Sequence, residues 1–455
     1  MKLDQIHKVY FIGIGGIGMS ALARYYNGQG KHVSGYDRTE TALTKELVNE
    51  GLAIHYHDRG EDLLNELDPN TTLVVYTPAV SEQFGELVAL RKAGFTVIKR
   101  AAALGLISNE FETFAVAGTH GKTTTTAILA HVLYHTKEQV NAFIGGLTTN
   151  YNSNCIVAPN SRRMVVEADE FDRSFLQLKP NYAIVTTIDS DHLDIYGDGD
   201  ELKSSFKKFT QKINPTGILF AHTDVRKELD LSHPKAIFSY GFDRKADWVG
   251  SNFIYEDGHF YFDIQNGDKI YERIEFGLPG KHNAENALAV FGLCIEVGIE
   301  EAVLRKAFAT FKGVKRRFEY HIKREGLVII DDYAHHPTEI NAFLKAVREI
   351  YPTKNITLVF QPHLFSRTRD FMNDFAMTLS LADQLFLLPI YPAREEPIPG
   401  VDSEHLLTLI VLEKKVMSSK ATIVEDLKQY DHELILIVGA GDIDTCIQPI
   451  VNQYR

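Results

Sequence analysis

The stretch from Phe114 to Leu129, FAVAGTHGKTTTTAIL, decides how the rest of the chain is read. A short apolar run, Phe114 to Ala117, predicts a strand. Gly118 and Gly121 predict a tight turn after it, and the residues from Lys122 onward predict a helix. A glycine turn between strand and helix aims backbone N–H groups and the positive end of the helix dipole at one point, which suits a phosphate. Lys122 neutralises outer phosphate oxygens there and the Thr123 hydroxyl suits a magnesium ion. The pattern departs from the common G-x-x-x-x-G-K-[ST] loop because Val116 stands at the first glycine position. Gly118, Thr119, His120, Gly121, Lys122, Thr123 and Thr124 are therefore expected to hold ATP.

The same order of apolar run, turn and helix occurs on either side. Val9 to Ile12 leads into GIGGIG and then MSALARYYNGQG. Leu327 to Ile330 leads into DDYAHHPTE and then INAFLKAVREIYP. Strands alternating with helices predict α/β layers with parallel sheets. Boundaries fall near residues 105 and 320, which divides the chain into 1–105, 106–320 and 321–455. Between Phe238 and Phe276 the segments FIYEDGHFYFDI and KIYERIEF alternate polar and aromatic residues, with turn signals at Asp257-Gly258 and Asn266-Gly267. They predict a small antiparallel sheet of hairpins inserted in the middle domain.

With 455 residues, 44% hydrophobic and 24% charged, the chain has the composition of folded domains and not of a disordered segment. A net charge of -12 disfavours nucleic acid and anionic membrane as partners. Anionic ligands then depend on local cations, metal ions or helix N-termini. Cys155, Cys294 and Cys446 are too scattered for a disulfide framework or a zinc site. No apolar run approaches the ~20 residues that span a bilayer, and the N-terminal stretch does not look like a secretory signal. A cytoplasmic protein is expected.

Gly13, Gly15 and Gly18, with Gly16 between them, keep the spacing G-x-G-x-x-G between strand and helix. Such a loop accepts a diphosphate, and Asp37, after the next strand HVSGYD, suits a ribose hydroxyl. The spacing alone fits a nicotinamide dinucleotide or a UDP-sugar equally. Magnesium needs oxygen ligands, and Glu167 ends the strand-like run RRMVVE at the edge where ligands of parallel sheets gather. The run YAIVTTID ends likewise, placing Asp189 and His192 near that edge. The metal candidates are Thr123, Glu167 and His192. The acidic DGDE at Asp198 to Glu201 predicts a helix start without chemistry of its own.

In order along nearly the whole chain, GIGGIG, GTHGKTTTT, EADEFDRSFL, DSDHLDIYG, PGKHNAENALA, GVKRRFE, DDYAHHPTEI and FQPHLFSRTRD resemble the Mur ligases of bacterial cell-wall synthesis. The resemblance implies a Rossmann-like N-terminal domain for the UDP moiety, a central ATPase and a Rossmann-like C-terminal domain that closes over ATP and brings the amino acid. It implies that ATP and Mg2+ drive the joining of L-alanine to the lactyl carboxylate of UDP-N-acetylmuramate; separately, a monomer or homodimer is expected. It further implies that Lys122 orients the γ-phosphate, that Thr123 and Glu167 hold a first magnesium, and that His192 helps hold a second. The same resemblance implies that His282, Asn283 and Asn286 lie near adenine and Arg317 near phosphate. It implies that Asp332 lies near ribose, and Tyr333, His335, His363 and Arg367 near the amino acid or substrate. Leu364 departs from the pattern, standing where an arginine often follows the histidine. A tripeptide-adding ligase for the same UDP-sugar, a nicotinamide-dependent oxidoreductase and a non-catalytic UDP-sugar sensor are the competing readings.

Overall fold

A computed structural model describes residues 5–189, 199–232, 234–243, 245–256, 258–393 and 395–455. Two compact units emerge. The first comprises Met1–Ser251, Asp263–Glu275 and Glu285–Phe311, and the second comprises Asn252–Phe262, Phe276–Ala284 and Lys312–Arg455.

The first unit opens with five parallel strands in the spatial order Ala53–His55, His32–Tyr36, Lys8–Ile12, Thr72–Tyr76, Thr96–Lys99. The order reverses at Lys8–Ile12, the strand that feeds the GIGGIG turn. The carboxyl end of a strand at such a reversal opens a crevice for ligands.

The same unit carries the parallel strands of the central, ten-stranded sheet. Its parallel part runs Ala236–Gly241, Ile218–His222, Tyr182–Val185, Glu112–Ala117, Arg163–Ala168, Asn141–Thr148. The strand leading into the GTHGKT turn thus lies between the two strands that end in acidic segments. Trp248–Glu256, His259–Asn266 and Lys269–Phe276 continue the same sheet. The expected hairpin region therefore begins ten residues late: Phe238 sits in a strand parallel to Ile218–His222, and Tyr240 pairs parallel with Trp248. Alternating residues at Phe238 resembled a hairpin because a strand with one covered face alternates whichever way its neighbour runs. The turn after Asn266 is where the sequence placed it, with Gly267 at φ 56°, while Asp257 lies outside the described residues.

One apolar core joins the two sheets of this unit. It includes Phe11, Leu22 and Tyr26 from the first segment and Ala115, Phe143, Val166 and Phe175 from the second, all nearly or fully buried. A polar clamp accompanies it. Arg24 donates to Asn154 Oδ1 at 2.5 Å and to Glu50, and Asn154 donates to Ile17 O and Ser20 Oγ. Residue 105 falls inside the helix Arg100–Ser108, whose Gly105 lies against the backbone of Gln177.

The second unit has six strands in the order Glu319–Arg324, Leu327–Asp332, Leu434–Val438, Ile356–Phe360, Gln384–Leu387, Lys414–Met417. The first pair is antiparallel and the others are parallel. Leu327–Asp332, Ile356–Phe360 and Leu434–Val438 are buried along their full lengths. Strands buried on both faces of a parallel sheet are mostly apolar, as LVII, LVF and LILIV are here. Position 320 lies within the first of these strands. Among the described residues no helix is long and apolar enough to cross a membrane.

Candidate active site

The phosphate-binding turn grows from the carboxyl end of Glu112–Ala117. Val116 explains its departure from the common loop: it is wholly buried inside the strand, paired with Ile184 on one side and Glu167 on the other, so a glycine has no task there. The bend begins at Gly118, φ 142°, where a Cβ would stand 2.0 Å from Thr186 Oγ1. It ends at Gly121, φ 77°, which opens the helix Lys122–Tyr134 and lies against the Asn286 amide. No side chain caps that helix and no acid occupies its first turn, so its positive end remains available to an anion.

The neighbouring strand end holds the turn in shape. Thr119 N donates to Thr187 O and His120 N to Thr187 Oγ1, both at 2.9 Å. The Thr186 hydroxyl donates to His120 O. Neither Thr186 nor Thr187 was singled out from the sequence, where they pass as ordinary strand residues in YAIVTTID. Only the parallel pairing of two strands 68 residues apart brings them under the loop.

Lys122 Nζ donates to Gly118 O at 2.6 Å, to Thr119 O at 3.1 Å and to Glu170 Oε1 at 2.8 Å. Burial alone would lower the ammonium's pKa, but Glu170, with Asp169 and Glu167, outweighs it and raises that pKa above its ordinary value. Glu170 is fully buried, and burial pushes its carboxyl up to about 7 against the pull of Lys122. It lies three residues past Glu167 in the acidic run EADE. The spacing signal was visible, but the partner was not.

Glu167 faces the loop because Arg163–Ala168 pairs in register with the loop strand, Val116 against Glu167. Its carboxylate accepts from Thr123 Oγ1 at 2.9 Å and from Gly145 N at 2.8 Å. Burial raises its pKa above the ordinary carboxylate range. Gly145 is a further residue not anticipated: a Cβ there would lie 2.3 Å from Glu167 Oε2, so the carboxylate occupies space that only glycine leaves. Thr123 and Glu167 present two hard oxygen donors in contact, a set suited to Mg2+. His192 and Asp198 lie outside the described residues. Asp189 is described, 3.4 Å from His120 Nε2, with its amide donating to Thr119 Oγ1. Thr124 begins the buried face of the helix.

In the first glycine loop, Gly13 takes φ 87°, and a Cβ on it would meet Thr77 at 2.5 Å. Asp37 accepts from Gly15 N at 2.7 Å and from Thr39 N at 3.2 Å. Gly16 precedes the helix Ile17–Gly28. Gly18 lies under the guanidinium of Arg100, which also reaches Asp169 Oδ2 at 3.5 Å. Arg100, Glu167, Asp169 and Phe175 line one small pocket.

The second unit gathers the remaining candidates. Arg316 and Arg317 lie over the Tyr333 ring at 5.1 and 5.0 Å. His335 Nδ1 donates to Tyr333 O, 2.9 Å away, and its ring lies 5.9 Å from that of His363. Arg367, buried, reaches His363 Nδ1 at 3.3 Å. Asp332 accepts from Phe318 N and Ala334 N, each at 2.8 Å, and burial pushes its carboxyl up to about 6. His336 and Glu339 form a capping box at the helix Pro337–Ile350, so the two histidines of DDYAHHPTE have different tasks. Leu364 occupies φ 72°, ψ 136° at the start of Phe365–Asp370, a backbone conformation that side chains rarely adopt. Burial lowers the His282 pKa to about 4. Asn283 donates to Pro279 O. Among the described residues one group has the spacing of a metal cage, Glu319, His321 and Asp331, and Arg316 Nε lies 3.4 Å from its buried Asp331.

Family models match most of the chain: the catalytic domain of the Mur ligase family over 8–112, the Mur ligase middle domain over 116–294, and the Mur ligase glutamate ligase domain over 316–443. A UDP-N-acetylmuramate–L-alanine ligase of Flavobacterium psychrophilum is 48% identical, covering 100% of this chain and 99% of its own. One from Parabacteroides distasonis is 44% identical over 99% and 98%. Among solved structures, the UDP-N-acetylmuramate–alanine ligase of Thermotoga maritima superposes with a TM-score of 0.82 at 29% identity, covering 98% of this chain and 99% of that one. A murein peptide ligase from Psychrobacter arcticus shares the fold, with a TM-score of 0.72 at 21% identity. With its phosphate loop, its acidic strand ends and its three matched segments, the chain belongs to the Mur ligase family.

Proposed function

We propose that the chain joins L-alanine to the lactyl carboxylate of UDP-N-acetylmuramate at the expense of ATP, in the synthesis of peptidoglycan precursors. The observation that carries this reading is the paired arrangement at the phosphate loop, Lys122 on Glu170 and Thr123 on Glu167. Relatives 44 to 48% identical over nearly the full length act in that reaction by name.

The chemistry explains why a ligase needs this loop. A carboxylate cannot acylate an amine directly, because an oxide is a poor leaving group. Transfer of the γ-phosphoryl group gives an acyl phosphate, which the amine attacks with release of phosphate. Catalysis then rests on positioning and charge neutralisation. The uncapped helix and the loop amides bind the phosphates, and Lys122 meets the γ-phosphate. Thr123 and Glu167 are the residues that would hold Mg2+, with His192 as a further ligand. When bound, the ion supplies positive charge against the phosphate oxygens.

The other assignments follow the same reading. Gly13, Gly15, Gly16, Gly18 and Asp37 serve the UDP moiety. His282 and Asn286 serve adenine, and Asp332 the ribose. Arg317 serves phosphate, and Tyr333, His335, His363 and Arg367 the amino acid or the UDP-substrate. Residues 1–105, 106–320 and 321–455 form the corresponding domains of a cytoplasmic monomer or homodimer whose partners are small molecules, without nucleic acid or membrane. The test is phosphate release from ATP by purified protein given UDP-N-acetylmuramate and each candidate amine in turn. Release with L-alanine is expected. Release with a tripeptide and none with L-alanine would overturn the assignment in favour of the peptide-adding reaction.

A further inference from the structure

We infer that Arg100 is a substrate-binding residue, its guanidinium taking an oxyanion of the UDP-sugar and specifically its diphosphate. The inference rests on the functional reading above and adds a contact that the glycine motif does not contain.

A chain with a net charge of -12 must supply local positive charge wherever it binds a nucleotide diphosphate. The first glycine loop by itself supplies little. The Gly15 amide is already donated to Asp37 at 2.7 Å, so it is spent within the protein. What remains is the first turn of Ile17–Gly28, which has no side-chain cap and no acidic residue. Arg100 lies on that turn. Its Nη1 and Cδ are 3.0 and 3.1 Å from where a Gly18 Cβ would be, so glycine at 18 gives the guanidinium room to lie against the backbone.

The guanidinium is also under-used. An arginine has five N–H donors in a planar fork suited to a phosphate pair. Arg100 makes one hydrogen bond, from Nη2 to Asp169 Oδ2, at the long distance of 3.5 Å, and its side chain is 22% exposed. It lines the pocket that also contains Glu167, and so lies between the first glycine loop and the phosphate-loop carboxylate within one unit. An acceptor substrate with a diphosphate at one end and a reacting carboxylate at the other has to bridge that interval. The start of the helix Arg100–Ser108 fixes the position, because Arg100 is its first residue and Lys99, before it, still belongs to the strand Thr96–Lys99.

The bland alternative is that Arg100 only steadies Asp169. The two roles separate by calorimetry of the full-length protein with UDP-N-acetylmuramate, and then with UDP, in the absence of ATP. Arg100→Gln is expected to weaken UDP-N-acetylmuramate binding by about tenfold to a hundredfold, with KM for ATP within about twofold of wild type. Arg100→Lys, which keeps the charge without the fork, should fall between. Asp169→Asn removes the partner and leaves the guanidinium, so it should leave UDP-N-acetylmuramate binding undiminished. Loss of UDP binding in Arg100→Gln places the contact at the diphosphate. Unchanged UDP binding with weakened UDP-N-acetylmuramate binding overturns the assignment to the diphosphate. Wild-type binding of both in Arg100→Gln, or an equal loss in Asp169→Asn, overturns the inference. If the wild-type protein itself fails to bind UDP-N-acetylmuramate, the functional reading falls and not this contact alone.

Discussion

Gly118→Ala tests how the phosphate loop is built. At Gly118 the backbone has φ 142°, and an added Cβ would stand 2.0 Å from Thr186 Oγ1, 3.0 Å from Thr187 N and 3.1 Å from Thr187 O. Relieving the first contact requires a shift of roughly 1 Å or more, and Thr186 cannot yield freely because its hydroxyl serves His120 O and Ala117 O. The unfavourable φ costs about 1–3 kcal/mol, and the overpacking about the same again. A displacement of about 1 Å in groups that position a reacting phosphate costs on the order of a hundredfold in rate. Steady-state phosphate release against ATP concentration should therefore show kcat/KM for ATP reduced by about a hundredfold, together with a lower melting temperature. The stricter test is a double-mutant cycle. Thr186→Ala alone loses the hydrogen bond to His120, yet in the Gly118→Ala background it removes the oxygen that clashes. The double variant should be better than the product of the single losses, by a coupling of about 1–3 kcal/mol. Wild-type kinetics in Gly118→Ala, or strict additivity in the cycle, would refute the view that Thr186 shapes the loop.

Three further outcomes are expected. Lys122→Ala and Glu167→Ala should each abolish ATP turnover with native circular dichroism and near-native UDP-substrate binding; wild-type rates in either would remove its assigned role. Glu170→Gln, which takes the fully buried carboxylate from Lys122, should lower kcat by about tenfold or more, measured with saturating ATP and UDP-substrate. The protein should also lose stability as pH falls from about 6.5 to 4, in part through His131, whose pKa burial lowers to about 4. The unfolded chain takes up that proton first, so the contribution is fully present above pH 6.5 and is lost on acidification, by at most about 3 kcal/mol. His131→Gln, in a site bounded by the Tyr151 and Thr310 hydroxyls, should flatten that part of a chemical-denaturation profile, and an unchanged slope would exclude His131 as a source.

Much of the architecture was legible along the chain, because the signals involved are local. Phe114 to Ala117, the glycines at 118 and 121 and the helix from Lys122 are consecutive, so apolar period and turn chemistry suffice to place strand, bend and helix. The GIGGIG and DDYAHHPTE turns are readable for the same reason, and each does follow the carboxyl end of a parallel strand. The hairpin region was legible in kind and misplaced at its start, since alternation reports a half-covered strand without reporting its neighbour's direction.

The contacts that make the site work are of another kind. Thr186 and Thr187 reach the loop, Glu167 reaches Thr123, and Arg100 reaches Gly18 only because parallel strands bring their carboxyl ends to one edge across tens of residues of intervening chain. Gly145 resembles any glycine in a strand until the Glu167 carboxylate is seen in the space of its missing side chain. By itself the sequence determined which residues bend, which strands are apolar and which charged groups stand at strand ends, since these follow from nearest neighbours. The tertiary structure alone decided which of those charges meet, because strand order and register depend on the packing of the whole sheet.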